Sequence, residues 1–254
     1  MALDLDSAEW ASLRDALGPA TAIPALLTAL ANDDGDVLDE LYDRLYHQGS
    51  IYSASIASFP HLIRIAEDMA TEEGHAELLA LAGFICESND LASTLQSSAH
   101  AEAFSAALPV ARALAVKALS QTTDANDGIY FLKAAMAFSG HADLAKVLDG
   151  VVNEEFAPSC PSCGVDLYVW PATQGLNVAA EDPVSEPRTK KTQVSKGALV
   201  SEGAKELARL LSSAPSLPEV SRQVPYIFGT VTCPACSAKF SLVDTLIDQA
   251  SGTS

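Results

Sequence analysis

Two short segments, Cys160-Pro161-Ser162-Cys163 and Cys233-Pro234-Ala235-Cys236, constrain this chain more than anything else in it. A Cys-x-x-Cys spacing lets one tight turn present two thiolates to a single ion, and two such turns supply all four ligands of a closed tetrahedral site. Soft thiolates at about 2.3 Å suit Zn2+. The expected ligand set is therefore Cys160, Cys163, Cys233 and Cys236 around one structural Zn2+. Four thiolates leave no position for water, so the ion is expected to hold the fold and not to catalyse. A redox Cys-x-x-Cys sits at a helix start after a strand and needs no second copy, so thiol-disulfide exchange is the weaker reading.

The fifth cysteine, Cys86, lies in an apolar stretch and reads as a buried reduced thiol, which argues against a disulfide framework. With 254 residues, 48% of them hydrophobic, the chain can bury a full core. Alanine and leucine dominate up to Gly150; afterwards β-branched residues, prolines and the paired cysteines collect, so two regions, 1–150 and 151–254, are expected. The formal charge of −18 is uneven: residues 1–150 hold 7 Lys/Arg against 22 Asp/Glu, net −15, and residues 151–254 hold 8 against 11, net −3. Such a first region repels phosphate backbones, which argues against nucleic acid as a partner, although a local patch can escape the average. The beginning of the sequence has no basic segment followed by an apolar one, and no later stretch of about 18 residues is uninterruptedly apolar, so a cytoplasmic protein without a membrane partner is expected.

The first region reads as helices. Asp6-Ser7-Ala8-Glu9 resembles a capping box opening a helix through Ala16, ended by Gly18-Pro19. Helices follow over 21–31 and 36–47, separated by a turn at Asn32-Asp33-Asp34-Gly35. One helix from Ile51 carries Pro60 inside it, where a kink is expected. Others run over 77–86, over 100–119 with Pro109 inside, over 129–138 after a break at 124–128, and over 141–148. The paired acids Asp33-Asp34, Glu67-Asp68 and Glu72-Glu73 fall at helix ends, where solvated caps explain them better than acid/base chemistry. Ala54 to Pro60 and Ala103 to Pro109 repeat at a distance of 49 residues, with Ile65-Ala66 matching Leu114-Ala115. Recurring helix pairs of this length point to a HEAT or armadillo solenoid, in which a pair buries its apolar stripe only by stacking on its neighbours.

The segment from Leu41 through Tyr46-His47-Gln48-Gly49-Ser50-Ile51-Tyr52-Ser53-Ala54 to Phe59-Pro60-His61-Leu62 resembles a group of largely uncharacterised bacterial HEAT-repeat proteins. The resemblance implies an interaction scaffold, regulatory or of the toxin-immunity kind, with no active site carried onto these positions. A protein partner is therefore expected.

In the second region each knuckle is flanked by strand-like runs, Phe156 and Val165–Trp170 about the first, Tyr226–Phe228 and Lys239–Val243 about the second. This resembles a zinc ribbon with a 69-residue insertion between its knuckles. Residues 171–197, rich in Pro, Thr, Ser and charge, are expected to form a mobile surface loop, and 198–211 a helix. Arg188, Lys190, Lys191 and Lys196 form a basic cluster, read as a solvated loop in preference to a partner site.

The five histidines, His47, His61, His75, His100 and His141, show no metal-ligand spacing, and no Gly-x-Ser-x-Gly elbow or phosphate-binding glycine loop is present. The fold expected is mainly α, a HEAT-like α-α superhelix followed by a small β zinc ribbon with a loop and helix inserted. The function expected is a non-catalytic protein scaffold. Two alternatives remain open: an enzyme or small-molecule site in the helical groove near His47, Tyr52 and His61, and nucleic-acid binding by the ribbon through Arg188, Lys190 and Lys191.

Overall fold

The computed structural model describes residues 1–32, 35–68 and 72–252, and the protein is mainly α-helical. The expected turn through Asp33 and Asp34 lies outside the described residues, as do the turn at 69–71 and the side chains of Glu72, Glu73 and His75. The chain divides into two compact units, Met1–Leu119 with Tyr130–Ala142 and Ser120–Ile129 with Asp143–Ser254.

In the first unit Ser7 caps a single 3-10 turn, Ala8–Ala11, its hydroxyl accepting from the Glu9 amide at 3.2 Å. The expected helix through Ala16 ends there. Asp15 is drawn instead into a buried ion pair with Arg44 (3.0 Å), and its other oxygen accepts the Leu17 amide, a local bond that competes with the helix. The chain then pairs β1 (Arg14–Asp15) with β2 (Gly18–Pro19). Helices α1 (Ile23–Leu30) and α2 (Leu38–Leu45) follow. A small hairpin, β3 (Tyr46–His47) and β4 (Ser50–Ile51), turns at Gln48 and Gly49. Both turn residues have positive φ, +50° and +85°, the mirror-image turn that matches strand twist.

Pro60 sits inside one continuous helix, α3 (Ser53–Asp68). It is followed by α4 (Glu72–Glu87), by α5 (Leu91–Ser97), which the sequence pattern did not suggest, and by α6 (Ala101–Gln121) with Pro109 inside. By length and composition alone α6 could cross a membrane; its Arg112 donates to the Ser139 hydroxyl of the same unit at 2.8 Å. Helix α7 (Ala125–Phe138) starts earlier than expected because Asp124, within the expected break, accepts the amides of Asn126 and Asp127 and caps it. Helix α1 packs on α3, α2 on α4, and α3 on both α4 and α5. Phe59 of α3, fully buried, lies 4.2 Å from Phe104 of α6 between ring centroids and 6.0 Å from Phe138 of α7. Cys86 is buried, as expected, and burial pushes its thiol far up.

From Asp143 onward the second unit carries the short helices α8 (Ala142–Val147, its first residue in the first unit) and α9 (Asp149–Val152). Its sheet is built from β5 (Tyr168–Pro171), β6 (Leu176–Ala179) and β7 (Thr192–Gln193), so the expected mobile loop over 171–197 is in part a meander. The reason is local alternation: Leu176 and Val178 are fully buried while Asn177 between them faces out. Helix α10 (Glu202–Leu211) is capped by the Ser201 hydroxyl. Tyr226 and Ile227, expected in a strand, end α11 (Pro218–Ile227) instead, whose first position is a proline. The strand comes next, β8 (Thr230–Thr232), paired antiparallel with β9 (Lys239–Ser241). Ser241 ends β9 and caps α12 (Leu242–Ala250), so the expected strand stops short of Val243.

Candidate metal centre

The backbone pairings of the second unit run in an unbroken series from the first knuckle to the second. Phe156 pairs with Val169 and Ser159 with Asp166 on one side of β5; β5 pairs with β6, β6 with β7; Ser195, just beyond β7, pairs with Thr230 of β8, and β8 with β9. The first knuckle is thus tied by isolated bridges to the three-stranded sheet β5–β6–β7, the second is the turn of the separate two-stranded sheet β8–β9, and the single Ser195–Thr230 bridge links the two sheets.

The sulfurs of Cys160, Cys163, Cys233 and Cys236 all lie within 4.8 Å of one another. Cys160 to Cys236 is 3.8 Å and Cys163 to Cys233 is 3.9 Å. A tetrahedral centre with metal–sulfur bonds of about 2.3 Å has sulfur–sulfur edges of about 3.8 Å. The four cysteines are thus at metal-binding distance, joining hairpins far apart in the sequence, and they are the ligand set read from the spacing.

Each knuckle is built the same way. The amide of the first cysteine donates to the carbonyl five residues on, Cys160 to Val165 at 2.8 Å and Cys233 to Ala238 at 2.9 Å. The residue after the second cysteine donates back to the first, Gly164 to Cys160 at 2.8 Å and Ser237 to Cys233 at 2.9 Å. That residue must take positive φ, +71° at Gly164 and +65° at Ser237. Proline after each first cysteine has no amide hydrogen to satisfy in so tight a turn.

Cys160 and Cys233 are buried, Cys163 and Cys236 exposed. Burial pushes the Cys160 thiol up, but the amides of Ser162 and Cys163 and the neighbouring thiols outweigh it and hold it at about 7. For Cys163 the Val165 amide favours the thiolate, yet desolvation and the sulfurs of Cys236, Cys160 and Cys233 push it up to about 12. Four sulfurs this close become thiolates together only around a cation.

Supporting contacts, not legible from the knuckles themselves, come from three elements. Lys190 donates to the Pro234 carbonyl at 3.3 Å, the Thr192 hydroxyl donates to the Thr232 carbonyl at 3.0 Å, and Gln249 of α12 donates to the Ser159 hydroxyl at 3.3 Å. Ser159 in turn donates to Asp166 at 2.8 Å. Gly164 was the available clue, a glycine directly after a knuckle.

The residues singled out for a site in the helical groove lie in the first unit in differing surroundings. His47 is exposed on the β3–β4 hairpin. Tyr52 precedes α3, where its amide donates to Ser55. His61 is buried on α3, where its Nε2–H donates to the Leu3 carbonyl at 2.7 Å.

Compared with known protein families, curated proteins and solved structures, the chain matches none.

Proposed function

We propose that this protein is a non-catalytic interaction scaffold, in which a HEAT-like stack of helices binds a protein partner and a zinc ribbon is clasped by one structural Zn2+ on Cys160, Cys163, Cys233 and Cys236. The observation that carries this reading is the four-sulfur cluster, mutually within 4.8 Å and with two pairs at 3.8 and 3.9 Å: four thiolates on one ion leave no coordination position for a substrate or water. The stacked-pair reading is supported by the packing of α1 on α3 and α2 on α4, each helix touching the one two places on, as repeated pairs do. Asp36, Asp39, Glu40 and Asp43 are exposed along and just before α2, and with the net −15 of residues 1–150 they favour a partner with a basic surface.

Elemental analysis of freshly purified protein tests the clasp: one zinc per chain is expected, and protein free of metal overturns it. Chelation should then abolish the circular dichroism and fluorescence signals of the ribbon; an unchanged thermal transition after verified metal loss removes the structural role. The scaffold is tested by affinity purification from the native cell with mass spectrometry, where a stoichiometric basic protein is expected. Recovery of the chain alone argues against it.

A further inference from the structure

Register and burial together define one outward face on the β5–β6–β7 meander. Val169 pairs with Val178, both fully buried, so the next row, Trp170, Asn177 and Gln193, points the other way; Tyr168 shares that side, but its partner Ala179 is fully buried, so the face is covered at that end. Lys191 shares the side of Gln193 and holds its ammonium over the Trp170 ring, 5.6 Å from the centroid. Next along the chain, Pro171 to Gly175 border a cleft of about 380 Å³ together with Lys196, Arg222 and Tyr226 among others; Trp170 and Lys191 do not line it. There Lys196 stands over the Tyr226 ring at 5.2 Å. Glu219, also in the cleft, is bonded to Arg222.

We propose that this face and its cleft bind a single-stranded nucleic acid. Two aromatic rings, each with a lysine poised over it, are the elements that hold a flexible polyanion with flat bases: rings stack on any base, and cations track the backbone. A base stacked on Trp170 takes the place of the Lys191 ammonium, which turns to the adjoining phosphate; Tyr226 and Lys196 repeat the arrangement in the cleft. Asn177 and Gln193 offer donors and acceptors to base edges. From Arg188 to Lys196 the chain carries four cations and no acid. Lys190 is the exception among them in role, since it is committed to the Pro234 carbonyl of the second knuckle. The overall charge of −18 does not forbid this, because at physiological salt charges beyond about 8 Å are screened. It does predict weak binding that depends strongly on salt.

The test uses the full, metal-loaded chain with fluorescent oligothymidylate and oligouridylate, read by anisotropy over a salt series from about 0.1 M to about 0.2 M, where the distant acidic charge is screened. Binding of either strand is expected, with a log–log salt slope of about −2, as for three phosphates neutralised on a single strand. Tryptophan fluorescence should be quenched at saturation, because Trp10 is 2% exposed and Trp170 lies on the binding face. Trp170→Ala should weaken binding roughly tenfold. The paired exposed substitutions Lys191→Gln and Lys196→Gln, which spare the core, should weaken it and flatten the salt slope. Absence of binding by the wild-type protein at about 0.1 M salt overturns the proposal. So does polyglutamate binding as tightly as the oligonucleotides with no effect of Trp170→Ala, which would mark an acidic-peptide surface instead.

Discussion

A Cβ placed on Gly197 would fall 1.6 Å from the carbonyl oxygen of Phe228. Gly229 meets the same crossing from the other side, its own Cβ position lying 1.8 Å from the Ser195 carbonyl oxygen. Here the segment after β7 passes onto β8, with Ser195 donating to Thr230 at 3.0 Å and Gly197 to Pro225 at 2.8 Å. Backbone, not a flexible side chain, occupies the space, so neither strand can move aside cheaply. Gly197→Ala should therefore destabilise the second unit by on the order of 3 kcal/mol. Urea unfolding followed by Trp170 fluorescence in a Trp10→Phe background reads this directly; an unchanged midpoint would show that the crossing relaxes.

The two knuckles make a matched experiment. Gly164 and Ser237 hold equivalent positions with equivalent φ, yet only glycine adopts that conformation without steric cost. Ser237→Gly should stabilise the second unit by about 1 kcal/mol, and Gly164→Ser should cost about the same. Thermal melting of the metal-loaded variants distinguishes the two signs. Shifts in the same direction would mean that the side chains, and not the backbone, decide.

Lys133 of α7 and Glu87 of α4 form an ion pair at 3.6 Å, with side chains 2% and 5% exposed, and the lysine also lies 4.9 Å from the centroid of Phe84. Removing one partner takes a counterion away from a charge that stays buried. Glu87→Leu alone should cost about 3–5 kcal/mol, whereas the double change with Lys133→Met should recover most of it. A double-mutant cycle from urea unfolding measures this coupling, and additive losses would show that the pair contributes nothing as a pair.

That ion pair also marks the limit of what local sequence pattern conveys. Cys160, Cys163, Cys233 and Cys236 were legible because metal ligation imposes a spacing, and α3 and α6 because apolar periodicity continues through Pro60 and Pro109. The strand β6 was hidden, since Leu176-Asn177-Val178 is too short an alternation to stand out within a stretch rich in Pro, Thr and Ser. Tyr226-Ile227-Phe228 reads equally as strand or buried helix end, and Pro218 at the start of α11 was the discriminating signal. The first expected helix failed for a tertiary reason, because Arg44, 29 positions away, claims Asp15.

His61 ties the start of the chain to α3. Its Nε2–H donates to the Leu3 carbonyl, its ring lies 6.3 Å from that of buried Trp10, and its Nδ1 faces the Arg64 guanidinium at 3.5 Å. Burial lowers its pKa below the ordinary histidine value, and the Arg64 charge adds to this; the Leu3 hydrogen bond and the Asp4 charge oppose both without overcoming them. Below about pH 6.5 the unfolded chain binds a proton that the folded chain resists, so the stabilisation is complete above that pH and is lost as pH falls towards the folded value. Two-dimensional NMR should show His61 titrating below about 6.5. Unfolding free energy should drop between about pH 7 and pH 5 more steeply in the wild type than in His61→Asn, which loses the titrating group at some cost in stability. Equal slopes in the two proteins would place the acid sensitivity elsewhere.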